Sequence, residues 1–336
     1  MIAAMRERIG MKKKVCVIGG AGYVGSRLVP ALLNKGYVVI VIDPCWFGNH
    51  LPASVKIIKK DVLHVPAEFF KGYDAVIFLA GLASDPMAEF AHSFNFVSNL
   101  GAPAYAAFAA RQAGVKRFIF ADSCSVYGDA KGKVRSESDA LSFLPYPYGV
   151  SKAQATRSLM YLVSQSFSVI TLRKGTISGW SPRMRFDLLV NTMYRSAAAE
   201  GVIRVSNPQI VRPLLPIEDA VAAYINALEA PRALSGIFNI ASTNVTVGEV
   251  GKEVQQHFAS VHGREVKLDM QNIPDVRNYG ATIAQAKHKL RFKPHGTVAS
   301  ILTELDAHVG PDFDFSPDRY YNLRVFKKIF KKVSHV

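Results

Sequence analysis

From Lys14 onward, short runs dense in Val and Ile alternate with longer segments whose apolar residues recur at helical spacing. Val15–Ile18, Val38–Ile42, Val55–Ile58, Ala75–Ala80, Phe118–Ala121 and Val169–Leu172 are the predicted strands. They are short and apolar at nearly every position, as strands covered on both faces must be. Segments of helical length such as Tyr23–Lys35 and Ala102–Ala113 lie between them. Regular alternation of this kind predicts right-handed crossovers and an α/β fold with a doubly wound parallel sheet. After Gly175 the pattern loosens. A helix near Asp187–Glu200, a strand Val202–Val205 and helices over Glu218–Glu229 and Val247–His262 are punctuated by Pro, Arg and Gly. The expectation is a first domain over residues 14–175 and a smaller C-terminal α/β lobe over 176–316, with some segments returning to the main sheet. Residues 1–13 are expected to be a disordered extension, and 317–336 a basic tail or helix.

Composition narrows the function class. Of the 336 residues, 49% are hydrophobic and 20% charged, which excludes a disordered or fibrous chain. No stretch approaches the roughly 18 apolar residues of a membrane span. Met1 to Lys14 lacks the apolar core of a secretory signal, so a cytoplasmic protein is expected. Cys16, Cys45 and Cys124 show no paired spacing, so neither a disulfide framework nor a metal site is expected. The net charge of +15 sits largely at the ends: residues 1–14 carry +4 and residues 317–336 carry +5. Basic ends on a nearly ordinary body argue against a nucleic-acid partner and suit a phosphate-bearing small substrate. In the last segment Phe326, Ile329, Phe330 and Val333 follow helical spacing, with Lys327, Lys328, Lys331 and Lys332 between them. Two readings stay open: a stripe packed on the body or on a subunit partner, or a face lying on anionic lipid without inserting.

The first strand runs into Gly19-Gly20-Ala21-Gly22-Tyr23-Val24-Gly25 and then a helix. Gly20, Gly22 and Gly25 fit G-x-G-x-x-G, in which glycine permits a tight turn, close approach to a pyrophosphate, and tight packing of helix on strand. The free N–H groups at the helix start add partial positive charge. This is the Rossmann-type dinucleotide site, with Gly19, Gly22, Tyr23, Val24 and Gly25 as its expected contacts. Asp43 ends the second strand, where a carboxylate bonds the adenosine ribose hydroxyls and repels a 2′-phosphate, so NAD is favoured over NADP. Asp61-Val62, after the third strand, either touches the adenine edge or simply closes a turn.

Tyr148-Gly149-Val150-Ser151-Lys152 places a phenol and an ammonium four apart on one helix face. A phenol with a pKa of about 10 is a poor base at neutral pH. A nearby cation, with the positive nicotinamide, would draw it towards working range. Ser123, at the end of a predicted strand where doubly wound sheets place ligands, supplies a hydroxyl for the reacting oxygen.

Gly-Gly-x-Gly-Tyr-Val-Gly, Leu79-Ala80-Gly81, Ser123 before Val126-Tyr127-Gly128, and Tyr148-x-x-x-Lys152 together resemble the extended short-chain dehydrogenase/reductases. Within them the chain resembles the NAD-dependent epimerase/dehydratase family acting on nucleotide sugars. The similarity continues through Asn99, Arg212-Pro213-Leu214-Leu215-Pro216-Ile217-Glu218-Asp219, Asp275-Val276-Arg277 and Leu290-Arg291-Phe292-Lys293-Pro294. It implies Tyr148 as acid/base, Lys152 lowering its pKa and binding the nicotinamide ribose, and Ser123 holding the sugar oxygen. It also implies that Leu79, Ala80, Gly81 and Asn99 face the cofactor and that the enzyme is a homodimer. Arg212 would meet the substrate diphosphate, with Arg277 standing in for a second arginine that is displaced here by Gln271 and Asn272. Ser84, Ser125 and Thr176 complete the expected substrate contacts.

The family's dehydratases set an Asp-Glu pair directly after the Ser or Thr. Here Cys124 and Ser125 stand there, and neither is a suitable acid/base for removing water. What remains needs only Tyr148, Ser123 and NAD: oxidation of a sugar hydroxyl at C4, with hydride returned to the opposite face in a 4-epimerase. A 4-dehydrogenase or 4-ketoreductase is the open alternative. A 4,6-dehydratase and an inactive NAD(P)-binding regulatory module stand further off.

Overall fold

The computed structural model describes residues 12–139, 141, 146–273 and 277–333; residues 1–11 of the expected extension, and Asp275 and Val276, lie outside them. Seven parallel strands form the main sheet in the order Gly236–Ile240, Ser168–Lys174, Arg117–Ser123, Ala75–Phe78, Lys14–Ile18, Val38–Ile42 and Lys56–Ile58. Strand alternation creates two cores. Val15, Val17, Val39, Val41 and Ile77 face one side, against helices Gly25–Asn34 and Ile217–Glu229. Cys16, Ile18, Ile40, Ile42, Val76 and Phe78 face the other, against helices Ala102–Gln112 and Pro147–Tyr161. Because both faces are covered, the strands carry no polar face, which is why they read as unbroken apolar runs.

The six strands expected from sequence are present, with ends shifted by one or two residues. The seventh, Gly236–Ile240, pairs with Ser168–Lys174, so the segment from Ile217 to Ile240 returns to the first domain. Ala286, Leu290 and Phe292 join the same core. No single cut at residue 175 therefore separates the two bodies. Arg117 fastens the return, its buried guanidinium donating to the carbonyls of Ala227, Leu228, Ala230 and Pro231.

The lobe has its own core around Val190, Tyr194, Val205, Leu214, Val250, Phe258, Ile301 and Leu305. Two of its strand pairs position the cleft. Val211–Pro216 lies beside Thr176–Ser178, bringing Arg212 near Thr176. Asn278–Ala281 pairs with Asp129–Arg135, returning Arg277 towards the segment that carries Ser123. Asp306 ties helix Val298–His308 to its neighbours by accepting from Tyr194 and meeting His257 and His262 at 2.7 and 3.0 Å. The sequence reading expects no metal site; this trio is the one group with metal-ligand chemistry among the described residues, and none of it lines the cleft.

The basic C-terminal segment is a helix, Asn322–Val333, packed on the body. Phe326 is fully buried, and the side chains of residues 331–333 lie outside the description. Phe326 is thus covered by protein, and Ile329 and Phe330 are partly covered. No described helix is long and apolar enough to cross a membrane.

Candidate active site

A cleft of about 710 Å³ opens over the carboxyl ends of the central strands, between sheet and lobe. It lies where the strand order reverses, between Lys14–Ile18 and Ala75–Phe78. That is the position at which doubly wound sheets bind ligands. Gly19, Gly22, Tyr23, Val24, Gly25, Asp43, Asp61, Val62, Leu79, Ala80 and Gly81 line one part of it. Ser84, Ser123, Ser125, Tyr148, Thr176, Arg212 and Arg277 line the rest.

The glycine turn is a cradle that side chains would fill. A Cβ on Gly19, where φ is +80°, would fall 2.5 Å from the Ala80 nitrogen, and one on Gly25 would fall 2.3 Å from the Gly20 carbonyl oxygen. Asp43 braces the turn: its carboxylate accepts from the Ala21 N–H at 3.0 Å and the Cys45 N–H at 2.7 Å. Burial raises its pKa, opposed by those two bonds and by Arg183. Asp61 spends one carboxylate oxygen on the Leu63 N–H, capping a short turn at the cleft edge.

Two expected cofactor contacts are placed differently. Asn99 does not line the cleft; it is fully buried behind the wall, donating to the Leu82 carbonyl at 3.0 Å and to Asn95 at 2.7 Å. Gly81 leaves no room for a Cβ, which would meet the Asn99 side-chain oxygen. The structure therefore corrects Asn99 to a support of the Leu79-Ala80-Gly81 turn. Lys152 is likewise behind the wall, 4% exposed, with Nζ donating to the Ala121 carbonyl at 3.0 Å and 5.9 Å from the Tyr148 ring centre.

Tyr148 and Ser123 line the same cleft, and Ser123 is near enough to Tyr148 to oppose the rise of its pKa. The Ser123 hydroxyl also accepts from the Ser125 N–H at 3.2 Å. The expectation is that Lys152 depresses the Tyr148 pKa together with a bound positive nicotinamide. Burial lifts it well above the ordinary phenol value, with Asp85, Asp122 and Tyr279 adding to the rise and Ser123 opposing it. Burial and the neighbouring Lys174 ammonium draw Lys152 down to about 7, against the pull of Asp122.

Asp122, next to Ser123, is spent internally on Arg173, Thr156 and the Ser123 N–H. Cys124 is buried, its thiol pushed up by burial, so it is no acid or base for the cleft. The Ser125 hydroxyl is buried without a hydrogen-bond partner. Arg212 donates to the Val211 and Arg277 carbonyls, and Arg277 pairs with Asp85 at 2.6 Å.

Sequence reasoning missed several cleft residues. Lys174 is the ladder partner of Ser123, and its ammonium makes no hydrogen bond among the described residues; burial lowers it to about 8. Arg183, 2% exposed, stacks on Phe47 at 3.9 Å with its Nε buried and unpartnered. Burial, then Arg185, lowers it to about 9. Asp85, Arg185 and Tyr279 also line the cleft. The only signal for the cations is a run of Lys and Arg from 173 to 185 with no acidic residue among them.

These three depressed cations set a pH dependence. Between about pH 7 and pH 9 the unfolded chain binds more protons at Lys152, Lys174 and Arg183 than the folded one, so stability rises with pH. Below pH 7 both states are charged and the gain stops. Above pH 9 the buried thiols of Cys16 and Cys124, held protonated, act in the opposite sense. The melting temperature of the ligand-free protein should rise by at least about 2 °C from pH 7 to pH 9. Lys152→Met should reduce the rise, and a flat or falling profile in the unsubstituted chain would contradict the assignment.

The sequence profile of the NAD dependent epimerase/dehydratase family matches residues 15–241. An uncharacterized UDP-glucose epimerase, YtcB, of Bacillus subtilis is 28% identical over 319 residues, 88% of this chain and 98% of its own. UDP-glucose 4-epimerase 3 of Oryza sativa subsp. japonica is 30% identical over 306 residues, 80% of this chain and 81% of its own. Among solved structures, MoeE5 in complex with UDP-glucuronic acid and NAD superposes with a TM-score of 0.75 at 28% identity, covering 87% of this chain and 97% of that one. The profile match covers more than half of the chain, and this chain belongs to the NAD dependent epimerase/dehydratase family.

Proposed function

We propose that the protein is an NAD-dependent nucleotide-sugar 4-epimerase. The observation that carries this is that the Ser123 and Tyr148 hydroxyls line the same cleft as the glycine turn, with no free acid/base pair beside them among the described residues: Cys124 is buried and Ser125 is a neutral hydroxyl. NAD fits the cleft, because the cradle admits backbone only at Gly19 and Gly25 and Asp43 stands at its edge. The residues that would hold it are the 19–25 turn, Asp43, Asp61, Val62 and the 79–81 turn. When bound, NAD would supply the hydride acceptor and donor for the sugar carbon.

The chain's own residues do the rest. Ser123 holds the reacting sugar oxygen. As phenolate, the Tyr148 oxygen would accept the proton of that hydroxyl, becoming the phenol, and later return it. Burial favours the protonated phenol, so the work of Lys152 is to supply positive charge that favours the phenolate when the site is filled. Burial limits that charge, which is nearly balanced at neutral pH. Arg212 and Arg277 line the part of the cleft that suits a diphosphate, and Ser84, Ser125 and Thr176 supply hydroxyls around the sugar. The relatives' names point to UDP as the nucleotide. The unpaired Lys174 ammonium beside Ser123 makes a sugar with an acidic substituent worth including. The enzyme is read as a homodimer. Phe108 and Tyr161, exposed on adjacent helices, support that reading.

The test is incubation of the purified protein, without added cofactor, with UDP-glucose, UDP-N-acetylglucosamine and UDP-glucuronic acid, followed by NMR. Interconversion at C4 is the expected result. Accumulated NADH with a keto sugar would replace epimerase by dehydrogenase. Loss of the 6-hydroxyl would restore the dehydratase.

A further inference from the structure

The last helix does more than cover an apolar patch. Its first two residues, Asn322 and Leu323, line the cleft together with Asp43, Trp46, Phe47 and Arg183. The helix is pinned there at both its polar start and its apolar side. The Asn322 side-chain oxygen accepts from the Arg183 guanidinium, and the Asn322 N–H donates to Asp187 at 3.3 Å. One turn on, Phe326 packs its ring 5.9 Å from Trp46 and 5.9 Å from Phe94, and Phe330 lies 5.1 Å from Phe94. Trp46 and Phe47 belong to the loop that leaves the second strand directly after Asp43. The helix therefore clamps the loop that borders the adenosine end of the cleft. It lies beyond the stretch that the family profile matches, which ends at residue 241.

Arg183 is the second observation. Its guanidinium is sandwiched between Phe47 and Asn322, nearly all buried, with Nε left without a partner at the cleft wall. A buried cation with an unused donor carries a desolvation cost that an anionic or hydroxyl-rich ligand would relieve. The adenosine ribose and the pyrophosphate of a dinucleotide supply both kinds of acceptor.

We propose that helix Asn322–Val333 is a cofactor strap: with Arg183 it completes the adenosine side of the NAD site, and it slows release of NAD so that one molecule serves many turnovers. This rests on the reading of the cleft as an NAD site and deepens it. An epimerase gains from such a strap, because it must keep its cofactor between the two halves of each reaction.

The experiment measures NAD itself, not turnover. Full-length protein, a chain truncated after Tyr321, and the double variant Asn322→Ala/Leu323→Ala are purified, and folding is checked by circular dichroism and melting temperature. Bound nucleotide is quantified after desalting, and the release rate is followed by displacement with excess labelled NAD. The strap predicts that release from both variants is about tenfold faster or more, with the loss in affinity carried by the dissociation rate. If the truncated chain does not fold, the double variant decides, since it removes cleft-side atoms and leaves Phe326 and Phe330 in place. Release within twofold of the full chain from a folded double variant overturns the strap. A full-length chain that binds no NAD at all overturns the cofactor reading itself.

Discussion

Tyr148→Phe is expected to lower the rate of C4 interconversion by roughly 10²–10⁴-fold, the range that a positioned general acid/base contributes. Bound NAD should be unchanged, because the ring stays in place and only the oxygen that meets Ser123 is removed. The variant keeps its helix, since the Tyr148 carbonyl, which accepts from the Ser151 hydroxyl, is unchanged. The measurement is product formation by NMR, with NAD content determined on the same samples. A variant that keeps near-normal turnover would remove Tyr148 from the chemistry. One that also loses NAD would make it a cofactor contact first.

The second large effect is at Gly25. A methyl group there would lie 2.3 Å from the Gly20 carbonyl oxygen and 2.5 Å from its carbon, both backbone atoms that cannot rotate aside. Overpacking of this kind costs about 1–3 kcal/mol. Because the turn itself must open to relieve it, NAD binding should weaken by roughly 10–100-fold in Gly25→Ala. Gly22→Ala is the graded comparison: its methyl meets only the Gly19 carbonyl at 3.2 Å, and a smaller loss is expected. Calorimetric titration with NAD reads both. Binding by Gly25→Ala within twofold of the unsubstituted chain would show that the turn does not cradle the cofactor.

The pattern of the residues was enough for the architecture because its physics is local. Val15–Ile18 and Val38–Ile42 are apolar on both faces, which only a sheet covered on both sides accepts, and the glycine run between strand and helix has one common use. Tyr148 and Lys152 were legible for the same reason, since a spacing of four fixes their shared helix face. The C-terminal amphipathic stripe was legible as a helix with an apolar side.

What covers that side was not, because Trp46, Phe90 and Phe94 are some 230 to 280 positions away in the chain. Only the fold brings them to Phe326. The seventh strand and the core contribution of Phe292 were hidden likewise: a short apolar run does not say which sheet it joins. The roles of Asn99 and Lys152 turned on a few ångströms of depth. Both stand behind the cleft wall rather than on it, and spacing along a helix cannot distinguish the two. No motif in the sequence marks Lys174 or Arg183. Burial gave them their character, and the free energy of a charge depends on what surrounds it, which the order of residues does not record.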